Sequence, residues 1–252
     1  MKQVFGIAFL LILTLTACQR NASGSKQFDT KTQSVLDQLI KAHGGKAYTS
    51  ANYTFEFRGK AYSFVESKKG SSYELKYEKE GTSIKETLVN GDFNRWIDGK
   101  QLELSADEKS RFSGGINSVI YFATLPYRLL DPAVNAQVLN EVQIDGKEYI
   151  EMRVTFDQEG GGNDHDDEYM YWINKANHQL DFLAYNYSVN KGGVRFRSAF
   201  NKRNVGGVVF QDYINYKADV GTPLEDLPQL WENGQLKELS KILTENVVNN
   251  SK

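Results

Sequence analysis

One cysteine in 252 residues, Cys18, leaves no partner for an internal disulfide, so stability has to come from a packed core. Neither sign of charge dominates: 30 basic residues face 32 acidic ones, with no basic block, so the chain carries no electrostatic footprint for nucleic acid. The histidines are only three, His43, His165 and His178, and no Ser-His-Asp or paired-histidine spacing appears. Nothing calls for a cofactor, and no internal repeat occurs at solenoid or propeller periods. Long apolar runs are missing too. The one in residues 4–16 is too short and wrongly flanked for a spanning helix.

What that short run does fit is an export signal. "MKQ" supplies a positive start, "VFGIAFLLILTLT" the apolar stretch, and "LTAC" a small residue before Cys18. Leu15, Thr16, Ala17 and Cys18 resemble the bacterial lipobox residue by residue. The resemblance implies cleavage before Cys18, acylation (palmitate among the chains) of its sulfur and new amine, and a mature chain held on the outer membrane, facing the periplasm. "QRNASGSKQ" then reads as a tether, small and polar throughout. Three segments follow: a signal peptide at 1–17, an acylated cysteine and tether at 18–28, and a single domain at 29–248, long enough for one sizeable β core.

The domain opens with a helix in "TKTQSVLDQLIKAHGG". Thr30 and Gln33 have capping-box spacing, Val35, Leu36, Leu39 and Ile40 form a stripe, and Gly44 stands where a left-handed cap belongs. His43, on the stripe's edge, reads as a capping or packing histidine. From Asn52 the period changes to two: Tyr53, Phe55 and Phe57, then Tyr73, Leu75 and Tyr77, then Phe93, Arg95 and Ile97, with glycines between the runs. The pattern breaks at "SADEKSRFSGGINSVIYFATLPYRLLDP", where Ser105 and Glu108 make a capping box. Phe112, Ile116, Val119, Ile120 and Ala123 then recur at helical spacing, interrupted by Gly114 and Gly115. Strand periodicity resumes with a hairpin about "DG" at 145–146 and runs to about residue 217. The closing "LEDLPQLWENGQLKELSKIL" reads as a further amphipathic helix. This predicts a mainly β fold: a curved antiparallel sheet or half-barrel of about 10–12 strands. An N-terminal helix, a helical lid near 105–124 and a C-terminal helix complete it, and alternation predicts one wet and one buried face per strand.

This order of elements resembles the half-barrel of the lipoprotein carriers and their mycobacterial lipid-binding relatives (LolA, LolB, LppX). "LPYRLLDP", "YWIN" and "GGVRFRSAFN" are similar in wording to an uncharacterised family of Bacteroidota outer-membrane lipoproteins. The carrier likeness implies a cavity for acyl chains, hence a lipid or other apolar small molecule as partner. Tyr53, Phe55, Phe57, Tyr73 and Tyr77 are the aromatics placed to line it, with Tyr169 and Tyr171 from a later strand and Ile120 and Phe122 from the lid. The same residues would serve equally as an ordinary β core.

One stretch is chemically distinct. "EGGGNDHDDEYMYWIN", residues 159–174, sets glycines, a histidine and acids before an aromatic strand. Its spacing only partly follows a calcium loop, since strands flank it and the third and fifth positions are wrong. A hairpin loop is the simpler reading. In a strand, His165, Asp167, Tyr169 and Tyr171 share one face. Asp164, His165 and Asp167 are then the polar and metal-site candidates, and a metal-dependent hydrolase using residues 164–168 is the rival to binding. A second rival is a scaffold that docks an envelope protein. Arg195 and Arg197 also share a face. Outward they are solubilising charges, and inward they join a buried network or hold an anionic head group.

Overall fold

The computed structural model describes residues 28–159, 166–188 and 191–251. Two seven-stranded antiparallel sheets, neither closed on itself, form the body. The first is a meander of β1 (Asn52–Phe57), β2 (Lys60–Ser67), β3 (Gly70–Lys79), β4 (Thr82–Val89), β5 (Asp92–Ile97) and β6 (Lys100–Gln101). The second holds β7 (Val134–Ile144), β8 (Lys147–Phe156), β9 (Tyr169–Asn174), β10 (Leu180–Tyr187), β11 (Gly193–Val205) and β12 (Val208–Ala218). Each turn is set locally. At Asp145-Gly146, for example, both residues have positive φ, +48° and +71°, the geometry of a two-residue hairpin turn matching strand twist.

The closing stretch, expected as one helix, divides instead. Only α3 (Leu227–Glu232) is helical, and β13 (Lys237–Ile242) and β14 (Glu245–Asn249) are strands. β13 pairs with β12 at the edge of the second sheet, while β14 pairs with β1 at the edge of the first. The chain between them therefore carries the curved surface from one sheet to the other, and the strands total 14 among the described residues.

Between β6 and β7 lies α2 (Ala106–Ala123), which runs unbroken through Gly114 and Gly115. Its capping box is formed: Ser105 accepts from Glu108 N, and Glu108 accepts from Ser105 N at 2.9 Å. Ile116 and Ile120 are buried against the aromatic ladder of the first sheet, Tyr53, Phe55, Phe64 and Phe93 among them. Tyr121, one residue on, turns to the second sheet and shares a 3.2 Å hydroxyl contact with Tyr171. The helix thus spans the mouth between the sheets.

The middle of the second sheet is covered on both sides, contrary to the expected wet face, while its outer strands β7 and β13 keep exposed residues. Tyr169, Tyr171 and Ile173 join a core with α1 (Thr30–His43). Met170 and Trp172 point the other way, into a cluster with Leu224 and Leu227, so all six residues of β9 are buried. The α1 stripe is as read, but its cap is Asp29, whose carboxylate accepts from Lys31 N and Thr32 N at 3.0 Å each.

His43 ends α1 fully buried, accepting from Leu180 N at 3.0 Å through Nε2. Burial, seconded by the charge of Lys202, pushes its pKa down to about 3 from 6.5. The unfolded chain then takes up this proton first, so the contribution is complete above pH 6.5 and is lost as pH falls towards 3. Stability in urea should drop by up to about 1.4 kcal/mol per pH unit between pH 6 and 5, and His43→Gln should flatten that slope. Equal slopes in the two proteins would show that His43 titrates normally.

Candidate functional site

The concave space between the sheets and α2 is not filled. A groove of about 480 Å³ remains, within the size range of small-molecule sites, roughly 300–1,000 Å³. One wall is the last turns of α2, with Val119, Phe122 and Ala123. Opposite them stand Phe55 and Phe57 of β1, and the floor is an aromatic run across the second sheet: Tyr169, Tyr185, Tyr187 and Tyr213. Strand pairing places these rings. Tyr169 of β9 faces Tyr185 of β10 in register, their centroids 5.3 Å apart and nearly parallel. Phe122 reaches down to this layer, 5.6 Å from Tyr185.

Of the residues expected to line a cavity, Phe55, Phe57, Phe122 and Tyr169 do reach the groove. The other five lie elsewhere. Tyr53 and Ile120 are sealed in the first-sheet core, where Tyr53 donates to Val205 O at 3.0 Å. Tyr73 meets Arg128, which also pairs with Glu66. Tyr77 borders a separate hollow near Lys85 and Trp96, and Tyr171 belongs to the second-sheet core. Alternation turns the strand residues among them to the inside of the curve, but it does not say which border the groove and which are sealed in the core. Val119, Ala123 and Ile242, which the sequence marks only as members of helical stripes, also line the groove, as do Tyr185 and Tyr213, which no pattern above marks. For Tyr185 and Tyr187 a signal existed, since "AYNY" alternates on a strand.

The polar candidates separate as well. Asp164 and His165 lie outside the described residues, as do Cys18 and the signal and tether before residue 28. Asp167 is buried at the rim of the groove. Glu168 turns outward to Arg153, at 2.5 Å, which is the alternation a strand imposes. Among the described residues, no three histidine, cysteine or acidic side chains converge as metal ligands would. Arg195 and Arg197 face inward: both line the groove, while Val194 and Phe196 pack on the opposite side. Arg197 donates through Nη2 to Tyr185 Oη at 2.9 Å, and its guanidinium lies 4.0 Å from the Phe122 ring centre. Arg195 donates to Val194 O and to the Tyr187 hydroxyl.

Comparison with known proteins agrees with this architecture. A LolA superfamily protein from Nitrosomonas europaea superposes with a TM-score of 0.50 at 11% identity, over 86% of this chain and 92% of that one. A DUF1329 family protein from Desulfovibrio piger gives 0.42 at 10% identity, covering 87% and 93%. The Mycobacterium tuberculosis lipoprotein LppX gives 0.30 at 13%, covering 66% and 92%. At such identities the first likeness establishes the fold, a LolA-like half-barrel, and nothing finer. No curated protein matches the chain. A sequence family described as "Family of unknown function (DUF6503)" matches residues 9–245.

Proposed function

The chain belongs to that family of unknown function, and we propose that it is an envelope lipoprotein, anchored through Cys18, that binds a lipid or another apolar ligand beneath α2. The observation that carries the reading is the groove: about 480 Å³ of space beneath α2, walled largely by aromatic and aliphatic side chains. A β core needs no such gap. The lipobox-like residues 15–18 and the LolA-like fold support the same reading, with the periplasmic face of the outer membrane as its setting. Uncharacterised Bacteroidota lipoproteins are the group its wording is similar to.

A groove of this kind binds by removing apolar surface from water, at about 25 cal/mol per Å², and α2 determines its depth. Titrating the whole chain with a fluorescent fatty-acid analogue should give micromolar or tighter affinity, about −8 kcal/mol. Val119→Asp, which sets a charge in the wall, and Ala123→Trp, which fills the space, should each weaken binding at least about tenfold, some 1.4 kcal/mol. Both residues also pack against the cluster that holds Ile116 and Ile120, so an unchanged thermal melt of each variant is what separates a lost groove from a lost fold.

A further inference from the structure

One end of the groove is more positive than its apolar walls require. Arg58, Arg195 and Arg197 line it against one carboxylate among the described residues, Asp167. Arg195 satisfies donors on Val194 O, at 3.0 Å, and on the Tyr187 hydroxyl. Arg197 does not. It is 7% exposed and takes no part in the ion pairs among the described residues. Its single hydrogen bond goes to Tyr185, and both Nε and Nη1 are buried without a partner. Directly opposite in the β11–β12 ladder stands Asn215, whose Oδ1 is buried and unpartnered too. A buried cation with idle donors is costly unless something accepts from it. The Phe122 ring covers the face of the guanidinium and leaves its in-plane N–H groups unmet.

We propose that Arg197, with Asn215 beside it, seats the anionic head of a single-chain amphiphile whose tail lies in the groove. The inference rests on the apolar-ligand reading and names its class: one acyl chain ending in a carboxylate or a phosphate monoester. Guanidinium matches the oxygens of either group. Turning the Asn215 amide exchanges its oxygen and nitrogen, so it donates to the same head group. Because Phe122 belongs to α2, one helix roofs the tail and covers the seat. Nε and Nη1 are buried, so an anion reaches them only when the side chains around them move.

The test compares cis-parinaric acid with its methyl ester, which differ at the head alone, on the whole chain carrying Cys18→Ser to remove the acylation site. The acid should bind at least tenfold more tightly than the ester. Arg197→Met should close the gap between acid and ester to within about twofold, while Arg197→Lys retains part of the preference. Displacement of bound parinaric acid by oleate, by 1-oleoyl lysophosphatidate or by both then tells carboxylate from phosphate. Equal binding of acid and ester to the protein with Arg197 intact would overturn the anionic seat and leave the groove reading standing. Saturable binding of neither would remove both. The acid-ester comparison needs no substitution at Arg197, so it decides the matter even if Arg197→Met fails to fold.

Discussion

Replacing Cys18 by serine is expected to move the protein from the membrane pellet to the soluble fraction in detergent-free fractionation. The effect should be nearly all-or-none. Two or three acyl chains hold a protein firmly, at about 0.8 kcal/mol per buried methylene, whereas one chain gives only reversible attachment. Among the described residues, no helix is long and apolar enough to cross a membrane, so no second anchor of that type is at hand there. The expectation rests on "LTAC" and on the small, polar "QRNASGSKQ" that follows it. A Cys18→Ser protein that sediments with the outer membrane as fully as the wild type would refute lipidation as the anchor.

Asp212→Ala should be the most damaging substitution for stability outside the hydrophobic core. Asp212, 3% exposed, accepts from Thr244 N at 2.9 Å, Asn201 Nδ2 at 2.6 Å and Arg203 Nη1 at 3.2 Å. Arg203 in turn donates to Thr244 O. These bonds tie the irregular end of β11 and the middle of β12 to the turn where the chain leaves one sheet for the other. Removing one member of a buried charged pair costs about 3–5 kcal/mol. Arg203 is partly exposed, which argues for the lower end, about 3 kcal/mol. That corresponds to a fall in Tm of roughly 6–12 °C for a domain of this size. Asp212→Asn keeps an acceptor and should cost less. Glu238→Ala, on the exposed face of β13, should stay within about 0.5 kcal/mol of wild type. If Asp212→Ala and Glu238→Ala melt together, the corner network contributes nothing.

Hydrophobic period and turn chemistry carried much of this fold. Tyr53, Phe55 and Phe57 alternate because β1 lies half-buried, and Asp145-Gly146 turns because both residues tolerate positive φ. The lid was legible for the same reason, Ser105 and Glu108 opening a run with helical spacing. The closing segment misled because Leu236, Leu239 and Ile242 have helical spacing and Lys, Glu and Leu favour helices. Pairing with β12 overrides that preference, and β13, an edge strand mostly exposed, gives no burial alternation to betray it. Likewise, a period of two places Arg195 and Arg197 on one face without saying which. That face is inward because Val194 and Phe196 are claimed by the cluster around Trp231 on the far side. The head-group seat was thus half visible in "GVRFRSAF", and the groove's other wall, built by a helix some 75 residues earlier, was not.

The measurement that bears most directly on the central claim is the stoichiometry of fatty-acid analogue bound by the whole chain, set beside that of Ala123→Trp. The groove account predicts one analogue per chain at saturation, with Ala123→Trp folded as before yet at least tenfold weaker. Binding that does not saturate, or that survives Ala123→Trp unchanged, would place the ligand elsewhere or nowhere and contradict the account.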